Sequence, residues 1–126
     1  MSKSQNYVTW GLTIILALAF LGAGFAKVTG QDSMVQAFTD FGLPGWFRIT
    51  IGTLEIFGAV LLVVPASTGT SSFGLSILMV GGIACHVMYT PLADGIPALV
   101  FFIILTYIYM ARKNVVPVFL QKYLIG

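Results

Sequence analysis

Four ionisable side chains lie inside or at the edges of long apolar runs: Lys27, Arg48, Glu55 and His86. Such groups are costly in a membrane span and usually face the bundle interior or a water-filled cavity. A carboxylate and an imidazole brought together can hydrogen-bond the polar end of a ligand or relay a proton. A lysine and an arginine beside them can counter the carboxylate charge or bind an anionic group. Glu55 lies seven residues beyond Arg48, about 10 Å deeper along a helix. At about 100° per residue, Arg48, Gly52, Glu55 and Ala59 fall within one narrow arc. Leu75, Met79, Gly82, His86 and Tyr89 make a second stripe, and Phe20, Ala23, Gly24 and Lys27 a third. Small residues flank the ionisable one each time, as expected where helix backbones approach closely in lipid.

Plainer readings stand beside this one. Lys27 and Arg48 could each snorkel to headgroups as anchors. Glu55 is too deep to snorkel easily, which leaves a structural ion pair or a pocket residue. For His86 the alternatives are a helix-to-helix hydrogen bond or chemistry. Cys85 is the only cysteine and reads as packing, since the C-x-x-C spacing of redox and zinc sites is absent. One histidine and one glutamate make too few ligands for a metal centre, so none is expected. The glycine-rich strings have neither Walker nor dinucleotide spacing and read as helix contacts.

The elements that must position these residues follow from composition. Hydrophobic residues make up 58% of the 126 and charged residues 8%, against roughly 25% charged in ordinary globular chains. So few charges could not cover a water-soluble fold, and a disordered chain needs low hydrophobicity. A net charge of +2 with no clustered Lys and Arg is no nucleic-acid footprint. An integral membrane protein remains, with the lipid bilayer as its surroundings.

Four apolar runs approach the roughly 20 residues that a spanning helix needs. They predict helices at about 7–28, 46–64, 73–89 and 96–111, forming a single all-α membrane domain, a four-transmembrane-helix bundle. Lys3 and Ala17-Leu18-Ala19 imitate a secretory signal, but the apolar stretch continues past Ala19 and reads as a retained helix. Between the first two spans, Met34, Val35, Phe38 and Phe41 form a partial stripe that predicts a short amphipathic segment at the interface. Ala66 to Ser72 and Thr90 to Gly95 read as turns. The segment 115–126, after Arg112 and Lys113, is expected to lie along the membrane surface. Lys3, Arg112, Lys113 and Lys122 fall on one side of such a bundle, and the positive-inside tendency then puts both termini in the cytoplasm of a bacterial inner membrane. Lys27, Arg48, Glu55 and His86 would all occupy the outer half of the bilayer.

Several segments, in order, resemble the DoxX-like family of small four-span membrane proteins. Gly22-Ala23-Gly24-Phe25-Ala26-Lys27-Val28-Thr29-Gly30 is similar to the small-residue and Lys-x-x-Gly end of its first helix. Phe41-Gly42-Leu43-Pro44 resembles its Gly-Leu-Pro entry to the second. Ile51-Gly52-Thr53-Leu54-Glu55-Ile56-Phe57-Gly58-Ala59 resembles its Gly-x-x-Glu-x-x-Gly helix, and Met79-Val80-Gly81-Gly82-Ile83-Ala84-Cys85-His86 its third. The resemblance covers residues 20–90 and leaves the fourth helix and the tail unmatched. It implies a link to membrane redox or detoxification complexes, since the family is named for a membrane subunit of a thiosulfate:quinone oxidoreductase. Some distant relatives resemble assembly chaperones. Lys27, Arg48, Glu55 and His86 match the family's recurring polar positions, and no family rule makes any of them catalytic.

Together these observations lead to an expected four-helix bundle with a small pocket for an amphipathic molecule, a quinone first among the candidates. Glu55 and His86 would contact its polar end, and Lys27 and Arg48 would balance Glu55. A chain with no haem-type axial pair, flavin motif or cysteine pair needs a redox partner protein. A homodimer is also compatible with so small a bundle. Two other classes compete: a non-enzymatic scaffold or assembly chaperone, and a lipid-modifying isomerase using Glu55 and His86 as acid and base.

Overall fold

The computed structural model describes residues 2–113, and every regular element among them is helical. Five helices run in the order α1 (Lys3–Thr29), α2 (Asp32–Asp40), α3 (Gly45–Leu62), α4 (Thr68–Tyr89) and α5 (Ile96–Arg112), with a 3₁₀ turn, Leu92–Gly95, leading into α5. The four longest stretches are long and apolar enough to cross a membrane. In lipid each backbone polar group must find its partner within the segment, and helices do this without neighbours. The chain is a multi-pass membrane protein, and α2 is the short segment expected between the first two spans.

Local chemistry sets the helix ends. α1 begins at Lys3, four residues before the expected start, because Ser2 and Gln5 form a reciprocal cap. Ser2 Oγ accepts from the Gln5 amide at 3.2 Å, and Gln5 Oε1 accepts from the Ser2 amide at 3.0 Å. It ends at Gly30, whose φ of 77° is a left-handed conformation that a glycine adopts without strain. α4 begins at Thr68, five residues ahead of the expected Phe73, so the polar turn assigned to Ala66–Ser72 is mostly helix. The hydroxyls there turn inward rather than toward water. Thr68 Oγ1 donates to the Leu62 carbonyl at 2.8 Å, and Ser71 Oγ to the Gly58 carbonyl at 2.5 Å. These bonds tie the start of α4 to α3, and Thr68, Ser71 and Ser72 are all buried. The expected surface segment at 115–126 lies outside the described residues.

α1 packs mainly on α3 and α4 on α5; α3 against α4 joins the pairs, and a lighter α1–α5 seam closes the ring. Leu16, Ala17 and Phe20 of α1 meet Ala59 and Leu62 of α3, Leu75 of α4, and Leu105 and Ile108 of α5 in one buried core. Phe20 stacks obliquely on Phe101 at 5.4 Å between centroids. The large side chains that remain exposed, among them Ile15, Phe57, Ile77 and Ile103, face outward where acyl chains would lie.

Candidate functional site

α1 and α3 cross in backbone contact at Gly24 and Gly52. A Cβ on Gly24 would stand 2.6 Å from the Gly52 carbonyl oxygen, and one on Gly52 would stand 2.7 Å from the Gly24 carbonyl oxygen. Only glycine permits that approach from both sides. It also brings the next turn of each helix together, three residues on. There Lys27 Nζ meets Glu55 Oε1 at 2.9 Å. The Glu55 side chain is 2% exposed and that of Lys27 14%, so the pair is shielded from lipid and water alike. Arg48 adds a second cation, its guanidinium donating to the Lys27 carbonyl at the end of α1. It also lies close to the Gly30 cap. Three of the four expected residues, Lys27, Arg48 and Glu55, therefore converge on two helices, the ion pair three residues beyond the glycine crossing on each.

One atom of this cluster is unmatched. Glu55 Oε2 is buried and has no hydrogen-bond partner among the described residues. A buried acceptor left open costs roughly 1–3 kcal/mol.

His86 sits elsewhere. It is half-buried near the end of α4, and its Nδ1 lies 2.9 Å from Thr90 Oγ1. That hydroxyl is also 3.1 Å from the His86 carbonyl, which can only accept. The Thr90 hydroxyl thus bridges the imidazole and the carbonyl of the same residue, and either Nδ1 or the hydroxyl can be the donor between them, according to the tautomer. The imidazole packs edge-on against Phe41 at 5.1 Å, so it helps seat the end of α2 on the bundle. A Cβ on Gly95 would come within 3.2 Å of His86 Cβ, which shows how tightly the 3₁₀ turn covers it. No hydrogen bond or ion pair joins His86 to Glu55 among the described residues. The stripe through His86 is buried at Leu75, half-buried at Met79 and Gly82, and open at Tyr89.

Among the described residues, two grooves open on the surface, and Lys27, Arg48, Glu55 and His86 line neither of them. One of about 300 Å³ runs between α3 and α4, along Leu54, Phe57, Gly58, Leu75 and Leu78. The other, about 280 Å³, lies at the opposite end of the bundle from Lys27 and is lined by Gly69, Thr70, Phe73, Tyr109 and Lys113. Among the described residues no three of His, Cys, Asp and Glu gather closely enough to hold a metal ion.

That opposite end carries a polar seam that reading the sequence missed. Arg112 Nη2 donates to Asn6 Oδ1 at 2.9 Å, and its guanidinium lies 5.0 Å from the centre of the Trp10 ring. Beside it, Thr9 Oγ1 donates to the Gln5 carbonyl at 2.7 Å and so accepts from the Tyr107 hydroxyl at 3.0 Å. Asn6 and Trp10 are four residues apart, on one helix face, which was the available signal.

The helices and the buried cluster thus define a small four-span membrane protein whose first and third helices are locked by glycine contact and an ion pair. The model of the DoxX-like family matches residues 11–108, and the chain belongs to that family. The match takes in most of α5, which the segments quoted from the sequence did not reach. A protein of Bacillus subtilis (strain 168), "Putative oxidoreductase CatD", is 28% identical over 83 residues, 66% of this chain and 62% of that relative. The chain therefore spans less than two thirds of that relative's length. No solved structure matches.

Proposed function

We propose that this chain is a quinone- or small-lipid-binding subunit of a membrane redox or detoxification system, acting with a partner protein that carries the electrons. The observation that carries the reading is Glu55 Oε2, a buried carboxylate oxygen with no donor among the described residues. Membership of the DoxX-like family and the oxidoreductase name of the Bacillus relative support the redox setting. The ligand's polar end would reach Glu55 at the α1–α3 crossing, with Lys27 and Arg48 keeping that carboxylate balanced. With one histidine and one cysteine, the chain lacks the paired ligands that redox centres use, which is why a partner is part of the proposal. The Lys27 end would face outward and both termini the cytoplasm, following the basic residues.

Mass spectrometry of the detergent-extracted protein tests this. A co-purifying quinone or related lipid, lost in Glu55→Gln with the helical fold retained, is the expected result. A ligand-free protein, or one whose bound molecule is indifferent to Glu55→Gln, would remove the basis of the proposal.

A scaffold or assembly role has one specific observation in its favour. The Gly24–Gly52 contact leaves no room between α1 and α3 at that level, and Lys27 and Arg48 are both engaged within the chain. On that reading the cluster only fixes helix register, and the extracted protein carries no small molecule. The isomerase alternative has weaker support, because His86 is directed to Thr90 rather than to Glu55.

A further inference from the structure

We infer that an anionic phospholipid seats at the Lys113 end of the bundle, with its phosphate against Lys113 and one acyl chain along the groove between α3 and α4. The site is separate from the Glu55 cluster and does not depend on the quinone reading. It starts from a close approach of two helix ends. A Cβ on Gly69 would stand 3.0 Å from the Arg112 carbonyl oxygen and 3.3 Å from Lys113 Cα, so the start of α4 lies directly on the end of α5. Lys113 thereby reaches the rim of the groove of about 280 Å³, whose walls include Thr70 and the rings of Phe73 and Tyr109. Those rings are 5.5 Å apart and tilted at 45°. An ammonium, two hydroxyls and bare rings in that order suit the level where headgroups give way to hydrocarbon.

Thr70 also lines the apolar groove. The two grooves therefore adjoin at one residue, one with a cation at its rim and the other walled by Leu54, Phe57, Leu61 and Leu78. That pairing matches a lipid's head and tail. From Thr70 to Leu78 the α4 wall runs about 12 Å, most of the roughly 15 Å of hydrocarbon in one leaflet. At about 300 Å³ the groove admits a chain and not a helix roughly 10 Å across.

Charge decides the class of head. The four acidic residues of the chain all belong to the other end: Asp32 and Asp40 bound α2, Asp94 lies in the turn over His86, and Glu55 pairs with Lys27. Lys3, Arg112 and Lys113 gather at this end, and no acidic side chain lines either groove among the described residues. Basic residues clustered at a membrane surface attract anionic lipid. A zwitterionic head brings its own ammonium to the same cations and loses that advantage.

The test is native mass spectrometry of the full chain, released from mixed micelles holding equal amounts of phosphatidylglycerol and phosphatidylcholine with matched acyl chains. Phosphatidylglycerol is expected to be retained at least roughly fivefold over phosphatidylcholine, the worth of one basic side chain at a membrane surface. Lys113→Gln is expected to abolish the preference, and Lys3→Gln, at the same end but outside both grooves, to keep it. Gly74→Leu fills the apolar groove from a position where a Cβ meets nothing within 4 Å. It is expected to lower phosphatidylglycerol retention at least roughly fivefold with helix content unchanged. Equal retention of the two lipids, or a preference that survives Lys113→Gln, overturns the inference. So does retention indifferent to Gly74→Leu, or displacement of the lipid by inorganic phosphate, since either means an anion held by its charge alone. Lys113 is exposed, so its variant decides the matter even where Gly74→Leu does not fold.

Discussion

Removing one partner of the Lys27–Glu55 pair is expected to have unequal consequences depending on which is removed. Glu55 is the more deeply placed, its side chain 2% exposed against 14% for Lys27. In Lys27→Met the carboxylate keeps its position with no cation on Oε1, and breaking a buried pair in this way costs about 3–5 kcal/mol. In Glu55→Gln the lysine keeps a flexible stem, three residues from the Gly30 cap, and can swing its ammonium to the headgroups. The loss there is smaller, about 1–3 kcal/mol. The Lys27→Met/Glu55→Gln double variant removes the charges together and is expected to leave stability within about 1 kcal/mol of the original. The double-mutant cycle then yields a coupling of about 3 kcal/mol or more, well above the ~0.6 kcal/mol of an average hydrogen bond between membrane helices. Unfolding in mixed detergent and SDS micelles, followed by circular dichroism, supplies the four free energies. A Lys27→Met loss below about 1 kcal/mol, the value of an exposed pair, would refute the burial argument. So would a Glu55→Gln loss larger than that of Lys27→Met.

Gly24→Ala or Gly52→Ala drives a Cβ to within 2.6–2.7 Å of a facing backbone oxygen and should cost about 1–3 kcal/mol, whereas Gly11→Ala, with nothing within 4 Å, should cost nothing in the same assay. Gly30→Ala forces an alanine to a φ of 77° and should destabilise the protein by roughly 1–2 kcal/mol. Arg112→Gln withdraws the cation from Trp10; in a Trp46→Phe background, which leaves Trp10 as the reporter, its fluorescence should shift on that substitution and remain unchanged in Lys113→Gln. Ser71→Ala deletes the bond to the Gly58 carbonyl and should cost about 1 kcal/mol by thermal unfolding, with no loss of helix content.

The spans were legible because lipid imposes one solution on an apolar run of about 20 residues, and the four runs are separated by proline, glycine and hydroxyl clusters. The inward direction of Gly52, Glu55 and Ala59 was legible for a related reason. A helix repeats its faces at a constant angle, so an ionisable residue flanked by small ones marks the side turned from lipid. The start of α4 was not legible. Thr68 and Ser71 look like turn residues until the α3 carbonyls that receive their hydroxyls are in place. Arg112 read as a simple stop to the last span, because its partners Asn6 and Trp10 lie about a hundred residues away.

For the ionisable set, the sequence alone determined that Lys27, Arg48, Glu55 and His86 could not face acyl chains cheaply, since that is a property of each group and its depth. Which of them meet was decided only by the folded bundle. The mutual approach of Gly24 and Gly52 brings α1 and α3 close enough for Lys27 to reach Glu55, while the Thr90 hydroxyl and the Phe41 ring hold His86 apart on α4. Periodicity sets which way a side chain points along its own helix. The distance to a neighbouring helix depends on contacts between residues far apart in the chain, and no local pattern encodes it.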